Sequence, residues 1–306
     1  MIVRTPYDAL PRALADEIAA AGLDPRAVYD HVVLAFEEDL PGGADDVTSA
    51  AMPAMGHAVA DVVAREPGVV AGLPVAELAF RYALGDEVAI TGRRADGSRV
   101  LPGDVVLTVA GPVQGVLTAE RTALNFASHL SGVATATAAW VDAIAGTGAR
   151  VLDTRKTLPG WRALQKYAVR CGGGVNHRLS LVDRAMVKDN HAVAAGGVAA
   201  AYRAVVAANP GLRVEVEVTN LAELRSVLDA GCTEVMLDNM STSAMREAVL
   251  VNEESGRPAT LEASGGLTID RAREVAETGV DFISVGALTH SVNVFDLGLD
   301  FRAAGG

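Results

Sequence analysis

From residue 150 onward the chain repeats one pattern six times: a short apolar run that ends on a polar residue or a glycine, then a stretch with helical spacing. The runs are RVLDT (150–154), AMVKDN (185–190), VEVEVTN (214–220), EVMLDN (234–239), TLEASGG (260–266) and FISVGA (282–287). Strands alternating with helices dictate parallel βαβ units, because parallel neighbours need a crossover long enough to hold a helix. Such sheets place their chemistry at the C-terminal ends of the strands. Six units fall short of the eight that close a barrel over about 250 residues. The expected architecture is therefore an incomplete parallel α/β barrel of six to seven units, with something else covering its open side.

Upstream the periodicity is different. Residues 7–39 have apolar spacing near a helical turn, and the alternating runs HAVADVVARE, VVAGL, DEVAITG and DVVLTVAG follow. Pro67-Gly68, Gly72, Gly92, Pro102-Gly103 and Gly111-Pro112 punctuate them, which predicts hairpins in an antiparallel sheet and so a small α+β domain up to about residue 115. Residues 114–145 read as helix, interrupted near Ser131-Gly132. No run approaches the length of an apolar membrane span, and charge breaks up the first twenty residues, so the expectation is a cytoplasmic protein without a signal peptide. Cys171 and Cys232 form no CxxC pair and are expected to be reduced and structural.

The formal net charge is −12, which disfavours nucleic acid and anionic membrane as partners. Residues 150–191 reverse that sign locally, with nine Lys and Arg against three Asp, as befits a site for a small, highly charged anion. Arg162, Lys166 and Arg170 are set aside as a solvated helix face. Collecting strand ends gives Arg155 and Lys156, Lys188, Glu217, Asp238, Ser264-Gly265-Gly266 and Gly286. Glycine turns after late strands offer backbone N–H groups to phosphate. Glu217 and Asp238 are acceptor-only groups suited to Mg²⁺ held through its waters. Glu215 lies deeper on the same strand face, where a structural role suits it. CGGGVNHR (171–178) adds His177 and Arg178, and an Arg fork matches a carboxylate bidentately. Carboxylate readers beside phosphate cradles imply a small polycarboxylate and a phosphorylated co-substrate.

In combination, TRKTLPGWRALQKYAVRCGGGVNHR, LVDRAMVKDNH, VEVEV, VMLDNM, LEASGG and GVDFISVGALTHS resemble the quinolinate phosphoribosyltransferase family, also called nicotinate-nucleotide pyrophosphorylase (carboxylating). The resemblance runs from EEDLPGGADDVTS (37–49) to the C-terminus; that turn is slightly longer than the family's usual form, and Ser180 stands where glycine is common. It implies an N-terminal α+β sandwich domain over 1–115 and an open α/β barrel over 116–289, with a tail from about 290 to 306 available to return to the first domain. It implies transfer of the phosphoribosyl group of 5-phosphoribosyl-1-pyrophosphate (PRPP) to quinolinate with decarboxylation, in de novo NAD biosynthesis. Carried over residue by residue, Arg155, His177, Arg178 and Lys188 hold the quinolinate carboxylates, and Arg121 completes the pocket from the partner of a homodimer or hexamer. Lys156, Glu217 and Asp238 form the catalytic and Mg²⁺ set, with Lys156, Lys188, Ser264, Gly265, Gly266 and Gly286 around PRPP.

Three alternatives stand beside this reading. Lys156 or Lys188 could form a Schiff base in an aldolase-like reaction, a divergent homologue such as the molybdenum-associated ones could use another acceptor, and a non-catalytic phosphate-binding protein could share the barrel. His31, His57 and His290 have no metal-ligand spacing and are read as structural or solvent-facing, and His129 as helix packing. Trp140 and Trp161 belong to no stacking stripe.

Overall fold

Two larger sheets of opposite character organise the molecule, beside a two-stranded pairing of Gly68–Val69 with Arg99–Val100, and the computed structural model describes residues 2–51 and 56–302. The helical start resolves into α1 (Arg12–Ala20) and α2 (Pro25–Asp39); Asp24 caps α2 by accepting from the N–H groups of Arg26 and Ala27, with Pro25 in the first turn where its missing N–H costs nothing. A short α3 (Val47–Ala51) follows, then β1 (His57–Ala64), β2 (Gly68–Val69), α4 (Leu73–Leu84), β3 (Ala89–Arg93), β4 (Arg99–Val100) and β5 (Val105–Pro112). The last described strand, β12 (Leu297–Phe301), completes an antiparallel sheet in the order β12-β1-β5-β3. β12 pairs with β1 from Ala60↔Phe301 to Ala64↔Leu297.

The expected break near Ser131-Gly132 is absent: α5 runs unbroken from Val113 to Ala143. Gly132 is there for close approach. A Cβ on it would collide with the carbonyl oxygen of Asn293, so glycine lets the returning chain pass against the helix backbone.

The second sheet is the six-stranded parallel one that the repeats predict. Its strands are β6 (Arg150–Leu152), β7 (Ala185–Val187), β8 (Val214–Val218), β9 (Glu234–Asp238), β10 (Thr260–Ser264) and β11 (Phe282–Ser284), in the order β6-β11-β10-β9-β8-β7. The connecting helices are α7 (Asp189–Ala195), α8 (Val198–Ala208), α9 (Leu221–Asp229), α10 (Thr242–Glu254), α11 (Ala272–Ala276) and α12 (Ala287–His290). Among the described residues only an isolated bridge, Leu152↔Val175, extends pairing beyond β6, so the barrel is open. Strand alternation sorts the residues: Val216, Val218, Leu237, Ala263 and Ile283 are fully buried on one face. Burying each Val or Leu contributes about 1.5–3 kcal/mol as an upper bound. The opposite parity carries Met186, Glu215, Glu217, Met236, Asp238, Glu262, Ser264 and Ser284, a polar interior where a closed barrel packs branched hydrocarbon.

Compactness divides the chain into residues 1–136, 163–172 and 292–306 on one side and 137–162 and 173–291 on the other. The helix α6 (Arg162–Cys171) thus packs mostly with the first unit, which corrects the reading of its basic residues as a solvated face. Arg170 is exposed, but Lys166 is fully buried together with Leu164, Gln165 and Ala168. In the same unit Gln165 Nε2 meets His129 Nε2 at 2.9 Å, a helix-packing contact. Both cysteines are free, and burial, as the largest cause, pushes the thiols of Cys171 and Cys232 up to about 12 and about 11. Neither should therefore be alkylated by iodoacetamide at pH 8 in the folded protein; rapid labelling of either would contradict that burial.

Candidate active site

A cavity of about 510 Å³ opens at the C-terminal ends of the parallel strands. Its construction begins below the surface, at Asp153. This carboxylate, fully buried at the end of β6, accepts from Asn176 Nδ2 at 2.6 Å and from the His177 N–H at 2.8 Å. It pegs the glycine-rich loop so that His177 and Arg178 face the same space as Arg155 and Lys156. Thr154 Oγ1 accepts from the Lys156 N–H at 3.0 Å, and Thr289 Oγ1 donates to the Lys156 carbonyl at 2.7 Å. The Lys156 backbone is therefore clamped while its side chain projects into the mouth.

His177 is almost wholly buried, and both ring nitrogens are engaged. Nδ1 accepts from the Arg178 N–H at 2.7 Å, which leaves the ring proton on Nε2 to be donated to Glu215 Oε2 at 2.7 Å. In this arrangement His177 ties the glycine-rich loop to β8 while its ring lines the cavity. Burial opposes the charge of Glu215, but the hydrogen bond from His177 and the charge of Arg184 outweigh it and lower its pKa.

The cations are unevenly committed: Arg178 donates to the Arg184 carbonyl at 3.1 Å. Arg155 Nε is buried without a hydrogen-bond partner among the described residues. Burial first and then the neighbouring Arg155 charge lower the pKa of Arg178. Two guanidinium groups that repel one another across a cavity are relieved by an anion between them. On the facing strands Lys188 Nζ lies 2.7 Å from Glu217 Oε2, and Asp238 accepts from Asn239 Nδ2 at 2.7 Å. Asn239 has φ +52°, and its N–H donates to the Ser264 carbonyl at 3.0 Å, tying β9 to β10 where Ser264, Gly265 and Gly266 turn over the cavity.

Ten of the twelve residues singled out from sequence line this one cavity: Arg155, Lys156, His177, Arg178, Lys188, Glu217, Asp238, Ser264, Gly265 and Gly266. Gly286 lies beside it, where an added Cβ would come within 2.9 Å of Lys156 Cδ. Arg121 is exposed on α5 and is not among the lining residues. Sequence reasoning missed Thr154, Met186, Met236, Asn239, Glu262 and Ser284. The period-two signal could have found two of them, since Glu262 shares a strand face with Ser264, and Ser284 ends the next strand in register.

Beyond Arg178 the chain is held by Asp183, which accepts from the Leu179 N–H at 2.7 Å, the Ser180 N–H at 2.9 Å and the Ser180 hydroxyl at 2.8 Å. The serine found in place of the usual glycine thus closes this turn. Burial works against the shift, but these donors hold the Asp183 carboxyl down to about 2. Because the folded value lies below the ordinary 3.8, its stabilisation is complete above pH 3.8 and is lost as pH falls toward 2. An NMR titration should place its midpoint near 2; a midpoint near 4 would mean that the turn is not formed in solution.

An open α/β barrel with paired guanidinium groups, a lysine and two carboxylates at one mouth defines an anion-handling transferase site. Residues 46–131 match the family model for the quinolinate phosphoribosyl transferase N-terminal domain and residues 133–300 that for its C-terminal domain. A nicotinate-nucleotide pyrophosphorylase [carboxylating] of Mycobacterium leprae is 49% identical over 275 residues, covering 90% of this chain and 97% of the relative. A probable enzyme of the same name from Bacillus subtilis is 37% identical over 87% of this chain and 90% of its own. The solved nicotinate-nucleotide pyrophosphorylase of Francisella tularensis superposes with a TM-score of 0.85 at 38% identity, over 90% of this chain and 96% of that one. The chain belongs to the quinolinate phosphoribosyltransferase family.

Proposed function

We propose that this protein transfers the phosphoribosyl group of PRPP to quinolinate and decarboxylates the product, giving nicotinate mononucleotide, pyrophosphate and CO₂ in NAD biosynthesis. The observation that carries the reading is Arg155, whose buried Nε has no partner among the described residues, and Arg178 with it, beside Lys156 and with Glu217 and Asp238 in one cavity. Two adjacent guanidinium groups suit a planar dicarboxylate, and the turn at Ser264–Gly266 suits a terminal phosphate.

The chemistry requires little beyond placement. The pyridine nitrogen has a free lone pair, so attack on the anomeric carbon needs no base; the barrier lies in parting pyrophosphate from a ribose that becomes cationic. Lys156 would meet the leaving group, and Glu217 and Asp238 would stabilise the ribosyl cation or order its hydroxyls. Both carboxylates are half-buried and face the cavity, so they fit a divalent cation; Mg²⁺ held there would neutralise pyrophosphate charge. Arg155, Arg178 and Lys188 would fix the quinolinate carboxylates, so that the ring nitrogen approaches ribose from one side only.

The test is to incubate the purified protein with Mg²⁺, PRPP and quinolinate, following nicotinate mononucleotide and CO₂ together, with nicotinate replacing quinolinate in parallel. Product only with quinolinate, and only with Mg²⁺, is expected. Product from nicotinate alone, or none from either, would overturn the reading.

Arg121 is exposed and is not among the residues that line the cavity of its own chain, which supports a homodimer or hexamer in which it reaches a neighbour's site. Arg121→Ala and Lys156→Ala should each be nearly inactive, while their mixture after subunit exchange should regain about a quarter of the wild-type sites, as two-fold pairing requires. No recovery in mixtures shown to contain hybrids would place Arg121 outside the site. The cytoplasmic location is part of the same proposal; among the described residues no single helix is long and apolar enough to cross a membrane. Fractionation of cells by activity would check it.

A further inference from the structure

The floor of the active-site cavity is not a plug of hydrocarbon. Glu262, in the middle of β10 and 3% exposed, lines that cavity and also a second one of about 300 Å³ at the N-terminal ends of the same strands. The second cavity is bounded by Arg184, Arg213, Thr233, Glu234 and Thr260. Glu262 Oε1 has no hydrogen-bond partner among the described residues, and Oε2 lies 3.5 Å from His177 Nε2. From Glu215, which shares His177 with Glu262, polar groups run on: Arg184 is 3.4 Å from Glu215 Oε1 and paired with Glu234, and Glu234 is 2.5 Å from Arg213, whose side chain is 69% exposed. His177, Glu215 and Glu262 bring donor atoms within 4.8 Å of one another, as a cation site would. The Arg184 guanidinium already supplies the positive charge there, so the arrangement is a hydrogen-bonded network.

The proposed reaction leaves one requirement unmet. Loss of CO₂ from the ribosylated ring breaks the C2–carboxyl bond and leaves its electron pair on C2, where a proton must arrive before CO₂ adds back. Lys156, Arg155, Arg178 and Lys188 serve as counter-ions at the mouth, and giving up a proton would strip them of the charge that holds the anions. Resting on the function proposed above, we propose that Glu262 is the acid that protonates C2, and that it is recharged with a proton from water in the cavity behind it. As the new C2–H bond forms, the Glu262 O–H bond breaks and its electrons remain on the carboxylate. One proton taken from solvent through the Glu234–Arg184 side then restores the acid, so each turnover consumes one proton.

The surroundings keep Glu262 in its proton-bearing form. The groups facing it are Glu215 from β8, His177 from the glycine-rich loop, Arg184 ahead of β7 and Ser284 from β11, with Glu234 of β9 behind and the four mouth cations in front. Burial, and after it the charge of Glu215, raises its pKa well above the ordinary carboxyl value, with Arg184 opposing. A raised value means that the acid is ready at low pH and is lost as pH rises through that value.

Single turnovers with enzyme in excess over quinolinate, with PRPP and Mg²⁺ saturating, separate the two steps. In Glu262→Gln, pyrophosphate release should persist while nicotinate mononucleotide and CO₂ form more slowly by about 10²–10⁴, the span for losing a general acid, with quinolinate mononucleotide accumulating. Product keeping pace with pyrophosphate, or both steps slowing equally, would overturn the assignment. Should the variant fail to melt cooperatively, the wild-type enzyme decides: product formation, but not pyrophosphate release, should fall as pH rises, and a constant ratio of the two across pH would sink the idea. Wild-type protein that releases no pyrophosphate with quinolinate would instead bring down the function proposed above.

Discussion

Lys156→Ala should lower turnover by about 10²–10³, or about 2.7–4 kcal/mol of barrier, the scale for deleting one preorganised charge aimed at developing negative charge. Its backbone is clamped by Thr154 and Thr289, and Gly286 admits its methylenes, so the side chain starts from a fixed point before substrate arrives. The side chain is exposed, and its loss should leave the melting temperature nearly unchanged. That split between activity and stability is the informative part. A variant with near-normal turnover would remove Lys156 from the mechanism, and one that fails to fold would make it structural.

Gly265→Ala should be the other severe change. Gly265 has φ +95°, and a Cβ there would collide with the Asn239 side chain and stand 2.9 Å from the Asn239 nitrogen. Strain and overpacking together should cost about 1–3 kcal/mol of stability. The Asn239–Ser264 hydrogen bond would be pushed apart, displacing the turn by enough to cost PRPP use on the order of 10²-fold in kcat/KM. Gly266, at φ +57° with nothing within 4 Å of an added Cβ, is the comparison site. Its alanine variant carries the left-handed backbone strain alone, about 1–2 kcal/mol, and should lose no activity by displacement of Asn239. If Gly265→Ala melts and turns over like wild type, the close approach of β9 and β10 is not what shapes the phosphate end.

The parts of this molecule legible in the sequence share one property: their signal is local. Six apolar runs ending in polar residues or glycine placed the strands and, with them, most of the cavity. What was illegible depended on distant partners. Ser131-Gly132 looks like a helix breaker because glycine is a poor helix former, yet the reason for Gly132 is Asn293, far along the chain. Lys166 looks solvated because lysines usually are, but α6 packs with the first compact unit and buries it. Glu262 looked like one polar residue inside a strand. Its importance comes from register, which sets it beside Met236 on one neighbour and Phe282 on the other, on the inner face.

The pairing of β12 with β1 has a consequence during synthesis. β1 ends at Ala64 and its outer neighbour begins at Leu297, so this edge of the first sheet stays bare while the whole parallel barrel is being translated. At ordinary elongation speeds of roughly 5–20 residues per second, that is on the order of ten seconds to a minute. Throughout it, the nascent chain displays an apolar strand with unpaired N–H and C=O groups, an invitation to pair with another copy on the same polysome. β12 is therefore the strand that ends this vulnerability, and chains truncated before it should be the most dependent on chaperones.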